Sequence, residues 1–184
     1  MLRKCIWALR CIFLKPFLNK CGSFSYIGKP LLIKGMRNIS IGNKVRIYPG
    51  CRIETYDDGF IDIQDNVSIG QNFHCTSNGK LIIGKNTTIT GDVVITNIDH
   101  DYRNIGVHIL KQNRIISETE IGDNCFIGYG AAILPGTKLG KQCVVGTNAV
   151  VRGEFPDYCV IVGVPAKIVK KYNTITNEWE EYGK

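Results

Sequence analysis

No Cys-x-x-Cys pair occurs among the eight cysteines, no acidic residue among the first twenty positions, and no apolar run long enough to cross a bilayer. Each absence excludes something. Scattered cysteines argue against a secreted disulfide framework, so they read as small hydrophobes of a reduced, cytoplasmic protein. The opening MLRKCIWALRCIFLKPFLNK is interrupted by Arg10, stopped by Pro16 and free of a small-residue cleavage site, which excludes a membrane span and a signal peptide. Nucleic-acid binding is not expected either, because no basic-aromatic stripe continues beyond this segment.

The same segment carries Arg3, Lys4, Arg10, Lys15 and Lys20, five charges of a net +7. Two readings stay open for it. It is a helix capping whatever follows, or a basic amphipathic helix making peripheral contact with an anionic membrane, at the inner face if so. At 184 residues the chain holds one compact core.

What is present is a six-residue beat. Ile121, Ile127, Ile133, Leu139, Val145 and Val151 fall at steps of six, and small residues recur four places later at Cys125, Ala131, Thr137, Cys143 and Ala149. Six matches neither a helix nor a strand, so it describes a coil of straight sides and corners. Traced backward, Ile41, Ile47 and Ile53 form one set of three; Ile63, Ile69 and Cys75 the next; Ile83, Ile89 and Ile95 a third. Three hexads make an 18-residue triangular coil whose sides stack at strand spacing. Gly and Asn in IGQN, IGKN and IGDN suit corners needing positive φ.

The interruptions are informative. Every excess over eighteen falls between the third side of one coil and the first side of the next, near residues 56–59, 77–80 and 97–119. The insertions therefore line up at one corner, and the longest is the candidate lid. The expected organisation is an N-terminal segment over 1–26, a coil domain over 27–165 with the inserted loop 97–119, and a tail over 166–184.

From about residue 27 to 171 the chain resembles the hexapeptide-repeat acyltransferases, and within them the galactoside, maltose and polysaccharide O-acetyltransferases. Four elements carry the resemblance: DHDYRN at residues 99–104, TEIGDNCFIG at 119–128, ILPG at 133–136 and GVPAKIVKK at 163–171. Phe126 stands where that subgroup usually has Trp. The resemblance implies an all-β, left-handed parallel β-helix with a short N-terminal helix, forming a homotrimer with active sites between subunits. It implies acetyl-CoA as co-substrate, no metal, and a sugar or glycan acceptor such as a polysaccharide, capsule or lipopolysaccharide precursor.

His100 matches the family's catalytic His, and a neutral imidazole suits removal of a hydroxyl proton at cytoplasmic pH. Asp99, Asp101 and Glu118 are alternatives for orienting it. Tyr129, Thr147, Ala149, Arg152, Lys167 and Lys170 match positions along the CoA arm and its phosphates. Asn72, His74, Thr76, Ser77 and His108 are acceptor candidates. The expected reaction is direct transfer in a ternary complex, because no cysteine accompanies His100 to form an acyl-enzyme.

Other readings are an acetyltransferase inactivating an antibiotic or similar small acceptor, a non-catalytic hexapeptide scaffold, and a zinc enzyme like the carbonic anhydrases of this fold. The three His of this chain, 26 and 8 residues apart, do not follow that zinc pattern.

Overall fold

The structure is a computed structural model describing residues 2–183. Alternation of buried and exposed residues within each short strand forces one edge of every hexad inward. The strands stack coil upon coil into three parallel sheets, two of seven strands and one of six, and two antiparallel tail strands extend one of the seven-stranded sheets to nine. Ile41, Ile63, Ile83, Ile121 and Leu139 stand in register up the first side. Ile47, Ile69, Ile89, Ile127 and Val145 follow on the second. All are buried in one continuous core with the third-side residues Ile53, Cys75, Ile95, Ile133 and Val151.

The slot expected four places after each inward residue of the beat is real and graded in size. Where the second side turns into the third, Cys51, Phe73, Val93, Ala131 and Ala149 are all completely buried. Asn66, Asn86 and Asn124 repeat at another corner with φ of 59°, where a side-chain amide tolerates the left-handed region.

The coil begins earlier than residue 27. Lys20–Cys21, Tyr26–Ile27 and Leu32–Lys34 build a complete first coil, paired with the next through Cys21–Ile41, Ile27–Ile47 and Ile33–Ile53. A last, partial coil follows Val151 after a shortened corner, with Glu154–Phe155 and Cys159–Gly163. The tail then reverses direction: Ala166–Asn173 pairs antiparallel with Cys159–Gly163, and Glu178–Glu181 pairs antiparallel with it.

Helix α1 (Leu2–Leu14) closes the N-terminal end. Cys11 is buried with its sulfur 3.2 Å from that of Cys21, and Trp7 packs on Tyr26 and Tyr48 at ring distances of 5.8 and 5.6 Å. Arg10 Nη1 donates to the Ile27 carbonyl at 2.9 Å, an edge acceptor that would otherwise face an empty coil position.

The insertion at 97–119 is not a free loop. Ile98–His100 and Arg114–Ile116 form an antiparallel hairpin, with a 3-10 turn at Ile109–Lys111 near its tip. Gln112 is its internal clamp: Nε2 donates to the Val107 carbonyl at 2.9 Å, and Oε1 accepts from the Asn104 N–H at 3.1 Å.

Candidate active site at the root of the insertion

Asn97 is the hinge on which the hairpin leaves the coil. It is completely buried. Its Nδ2 donates to Ser77 Oγ at 2.9 Å and to the Lys80 carbonyl at 3.2 Å, while its Oδ1 accepts from the Asn78 N–H at 2.9 Å. A buried amide with all these partners fixes the exit direction of the chain. Three residues on stands His100, half-buried, with its Nδ1 shielded from water and without a hydrogen-bond partner among the described residues.

The three carboxylates offered for orienting His100 are engaged elsewhere or turned away. Asp99 Oδ2 accepts from Arg152 Nη2 at 2.8 Å, and Oδ1 from the His100 backbone N–H at 3.0 Å. The Arg152 contact first, and the backbone bond second, hold the Asp99 carboxyl below the usual carboxylate range. Asp101 grips Arg103, with Nε at 2.8 Å and Nη2 at 2.7 Å, which drives its pKa far down. Glu118 is exposed. Within one chain, none of the three bonds the imidazole of His100.

A second polar cluster lies on the outer face of the third side. Arg52, His74 and Val94 stand in register in one row, and Glu54, Thr76 and Thr96 in the next. Glu54 is 3% exposed, bonded by Arg52 Nε and, at 2.7 Å, by the Tyr56 hydroxyl. Burial pushes its carboxyl up, but these two donors pull it below its ordinary value. His74 Nε2 sits 3.9 Å from Glu54 Oε1 and has no hydrogen-bond partner among the described residues. Burial, then the Arg52 charge, lower the His74 pKa, and Glu54 opposes them. Arg114, the hairpin residue opposite His100, lies over the Tyr56 ring at 4.9 Å and pairs with Asp57 at 3.2 Å. The hairpin is thus pinned on one side by Arg152–Asp99 and on the other by Arg114.

The remaining acceptor candidates divide. The Thr76 hydroxyl donates to Thr96 Oγ1 at 2.8 Å on the same open face. Ser77 must be withdrawn: it is completely buried, and its hydroxyl donates to the Gly79 carbonyl while accepting from Asn97. Asn72 is a corner residue at φ 57° whose amide donates to Asp92 at 3.0 Å. His108 Nδ1 caps the 3-10 turn, accepting from the Leu110 N–H at 3.2 Å.

Among the positions assigned to the donor, Ala149 is also corrected, because its methyl is fully buried in the small slot. Thr147 and Lys167 are exposed. Lys170 pairs with Glu181 at 3.3 Å. The neighbouring Asp92 carboxylate raises the pKa of the exposed Tyr129 phenol, and the Tyr129 ring lies over Gly91, where an added Cβ would come within 3.2 Å.

Sequence reasoning missed Asn97, Arg114 and Glu54. Only Glu54, as the first acid of the chain, carried a signal. Among the described residues no group of three or more His, Cys, Asp or Glu side chains is placed to hold a metal ion. A concavity of about 790 Å³ lies between Tyr158 and the tail strands, and no insertion residue lines it.

A seven-coil parallel solenoid with a histidine at the root of its one long insertion defines a class of repeat transferases. Residues 118–153 match the bacterial transferase hexapeptide family model. A putative lipopolysaccharide biosynthesis O-acetyl transferase of Escherichia coli is 35% identical over 161 residues, covering 83% of this chain and 81% of that one. The galactoside O-acetyltransferase of Lactococcus lactis is 25% identical, covering 93% and 72%. In fold, the chain resembles an N-acyltransferase from Bacillus cereus solved with dTDP and 3-hydroxybutyryl-CoA, at a TM-score of 0.74, 19% identity, and coverage of 91% and 90%. The chain belongs to the hexapeptide-repeat acyltransferase family.

Proposed function

We propose that the protein transfers an acetyl group from acetyl-CoA to a hydroxyl of a sugar, as part of building a cell-surface glycan. The observation that carries this reading is His100, held at the root of the braced hairpin with one ring nitrogen shielded and unpartnered. In this reading the imidazole removes the proton of the acceptor hydroxyl as its oxygen attacks the thioester carbonyl. The tetrahedral intermediate then expels the CoA thiolate, which recovers that proton from the imidazolium. Orientation of both substrates against a rigid wall supplies much of the rate.

His74, Thr76 and the Arg52–Glu54–Tyr56 group face the acceptor in this reading, and Thr147, Tyr129 and Lys167 the donor. The names of the E. coli and L. lactis relatives support a glycan acceptor. A homotrimer with sites between copies is supported by the insertion, on which Ile105 is 94% exposed and Leu110 is exposed. Seven of the eight unpaired cysteines are buried, which supports work in a reducing cytoplasm.

The test is acetyl-CoA-dependent thiol release over a panel of sugars, nucleotide sugars and lipid-linked glycans, with product mass measured. His100→Ala should lower turnover by about 10² to 10⁴-fold while CoA still binds. Absence of acetylated product with every acceptor, or full activity in His100→Ala, would refute the reading.

A further inference from the structure

We propose that the N-terminal end of the solenoid is a docking surface for an anionic lipid bilayer. Charge is segregated along the axis: the first 53 residues hold eleven Lys and Arg and no Asp or Glu, whereas the other 131 hold twelve Lys and Arg against all sixteen acids. Those 53 residues are α1, the first coil and the second coil as far as Ile53; the next residue, Glu54, is buried against Arg52, which leaves ten unneutralised cations at this end of the rod.

The same end is also apolar on its outside. One face of α1 is spent on the coil through Trp7, Arg10 and Cys11. Its other face presents Ile6, Leu9, Ile12 and Phe13, the last 72% exposed. Two corners of the first coil add Phe24, 87% exposed, and Leu31, 76% exposed. Large apolar side chains so placed, rimmed by Arg3, Lys4, Lys15 and Lys29, mark an interaction site rather than ordinary surface.

Charge selects the occupant. A second copy of this end would set ten unneutralised cations against ten, which is costly at an interface. A nucleic acid would satisfy the cations but not Leu9, Ile12 and Phe13. An anionic bilayer answers both, with phosphates for the rim and the acyl boundary for the helix face. No described helix is long and apolar enough to cross a membrane, so α1 lies on the surface. His100 leaves the coil three strand spacings from the first coil, about 15 Å, within reach of a glycan still attached to its lipid carrier. That last consequence rests on the acyl-transfer reading; the docking does not.

The full-length protein is sedimented with phosphatidylcholine vesicles containing one-third phosphatidylglycerol, and with phosphatidylcholine vesicles alone. It should partition onto the anionic vesicles and be released as salt rises toward about 0.5 M. The pair Ile12→Glu and Phe13→Glu should cut partitioning at least tenfold, and Arg3→Glu with Lys15→Glu, both at exposed positions, should do the same. Each lost basic contact near such a surface weakens binding about fivefold. Melting temperature and thiol release on a soluble acceptor should stay as in the parent, which separates docking from acyl transfer. Failure to bind the anionic vesicles overturns the proposal. So does undiminished binding by the charge-reversal variant, or a larger assembly in solution that Phe13→Glu dissolves.

Discussion

Arg152 reaches from the end of the sixth third-side strand to Asp99 at the root of the insertion, its Nη2 2.8 Å from the carboxylate and 53 residues away in sequence. Asp99 also accepts the backbone N–H of His100, so the pair acts as a positioning device for the imidazole. Both partners are substantially exposed, and an exposed pair contributes about 0–1 kcal/mol to stability. Arg152→Ala and Asp99→Asn should therefore leave the melting temperature almost unchanged and lower kcat about tenfold, the loss of near-attack geometry outweighing the loss of stability. The double variant should be no worse than either single one. Because the folded pKa of Asp99 is depressed, the tether is fully present above the unfolded value near 3.9 and is lost only as pH falls through the lower folded value. Protection of the amides of residues 98–116 against hydrogen exchange, taken relative to the intrinsic rate at each pH, should accordingly be the same at pH 5 and pH 7, and lower at both in Arg152→Ala.

The six-residue beat was enough to place nearly every inward side chain, because burial of one edge per side leaves no other phase for the apolar residues. It also located the insertion corner and His100. The first coil was harder: Cys21, Ile27 and Ile33 keep the beat, but Gly35 at φ 71° and the turn Met36–Asn38 then add two residues. The last coil is hidden by the opposite change, only four residues from Val151 to Phe155. The partners of Asp99 and Asp101 were not legible, since they depend on where a long Arg side chain ends in space. Ser77 and Ala149 were misjudged because proximity in sequence to a site says nothing about which way a strand residue faces.

Phe73 tests the packing of the small slot. It is completely buried between Cys51 and Val93 in the neighbouring coils, the one ring in a column otherwise filled by small residues. Phe73→Ala should cost about 3–5 kcal/mol, read as a fall in the urea midpoint. Phe73→Leu should cost less, because the remaining atoms still fill most of the space. A shift below about 1 kcal/mol for the alanine variant would mean that the coils close the gap by sliding, contrary to a rigid wall.

Glu54 sets the electrostatics around His74. Burial and Arg52 lower the His74 pKa while Glu54 raises it, so Glu54→Gln should move it further down and Arg52→Ala should move it up. Titration of the His74 ring signals by NMR reads both signs directly. The glutamine retains the hydrogen bond from Tyr56, so a large loss of fold is not expected. An upward shift in Glu54→Gln would show that Arg52, freed from its partner, leaves the site rather than tightening on His74.

Asn97 makes the most demanding prediction, because it links the buried corner to the reacting group. Its amide satisfies Ser77, Asn78 and Lys80 at once, and its own carbonyl accepts the Ser117 N–H at 3.1 Å, where the insertion returns. Asn97→Ala strands a buried N–H and a carbonyl, each costing about 1–3 kcal/mol. Asn97→Asp keeps the acceptor for Asn78 but reverses the polarity towards Ser77 and Lys80, adding a buried charge beside a carbonyl. Both variants should be less stable than the parent, Asn97→Asp regaining part of the loss at acid pH as the carboxylate is neutralised. Activity should fall beyond what the unfolded fraction explains, since His100 inherits its direction from this residue. Measured well below the variant's melting point, kcat should drop at least tenfold, with CoA affinity changed less than threefold. Parent kcat in the folded fraction would instead mean that the Arg152 and Arg114 braces position the hairpin without the hinge.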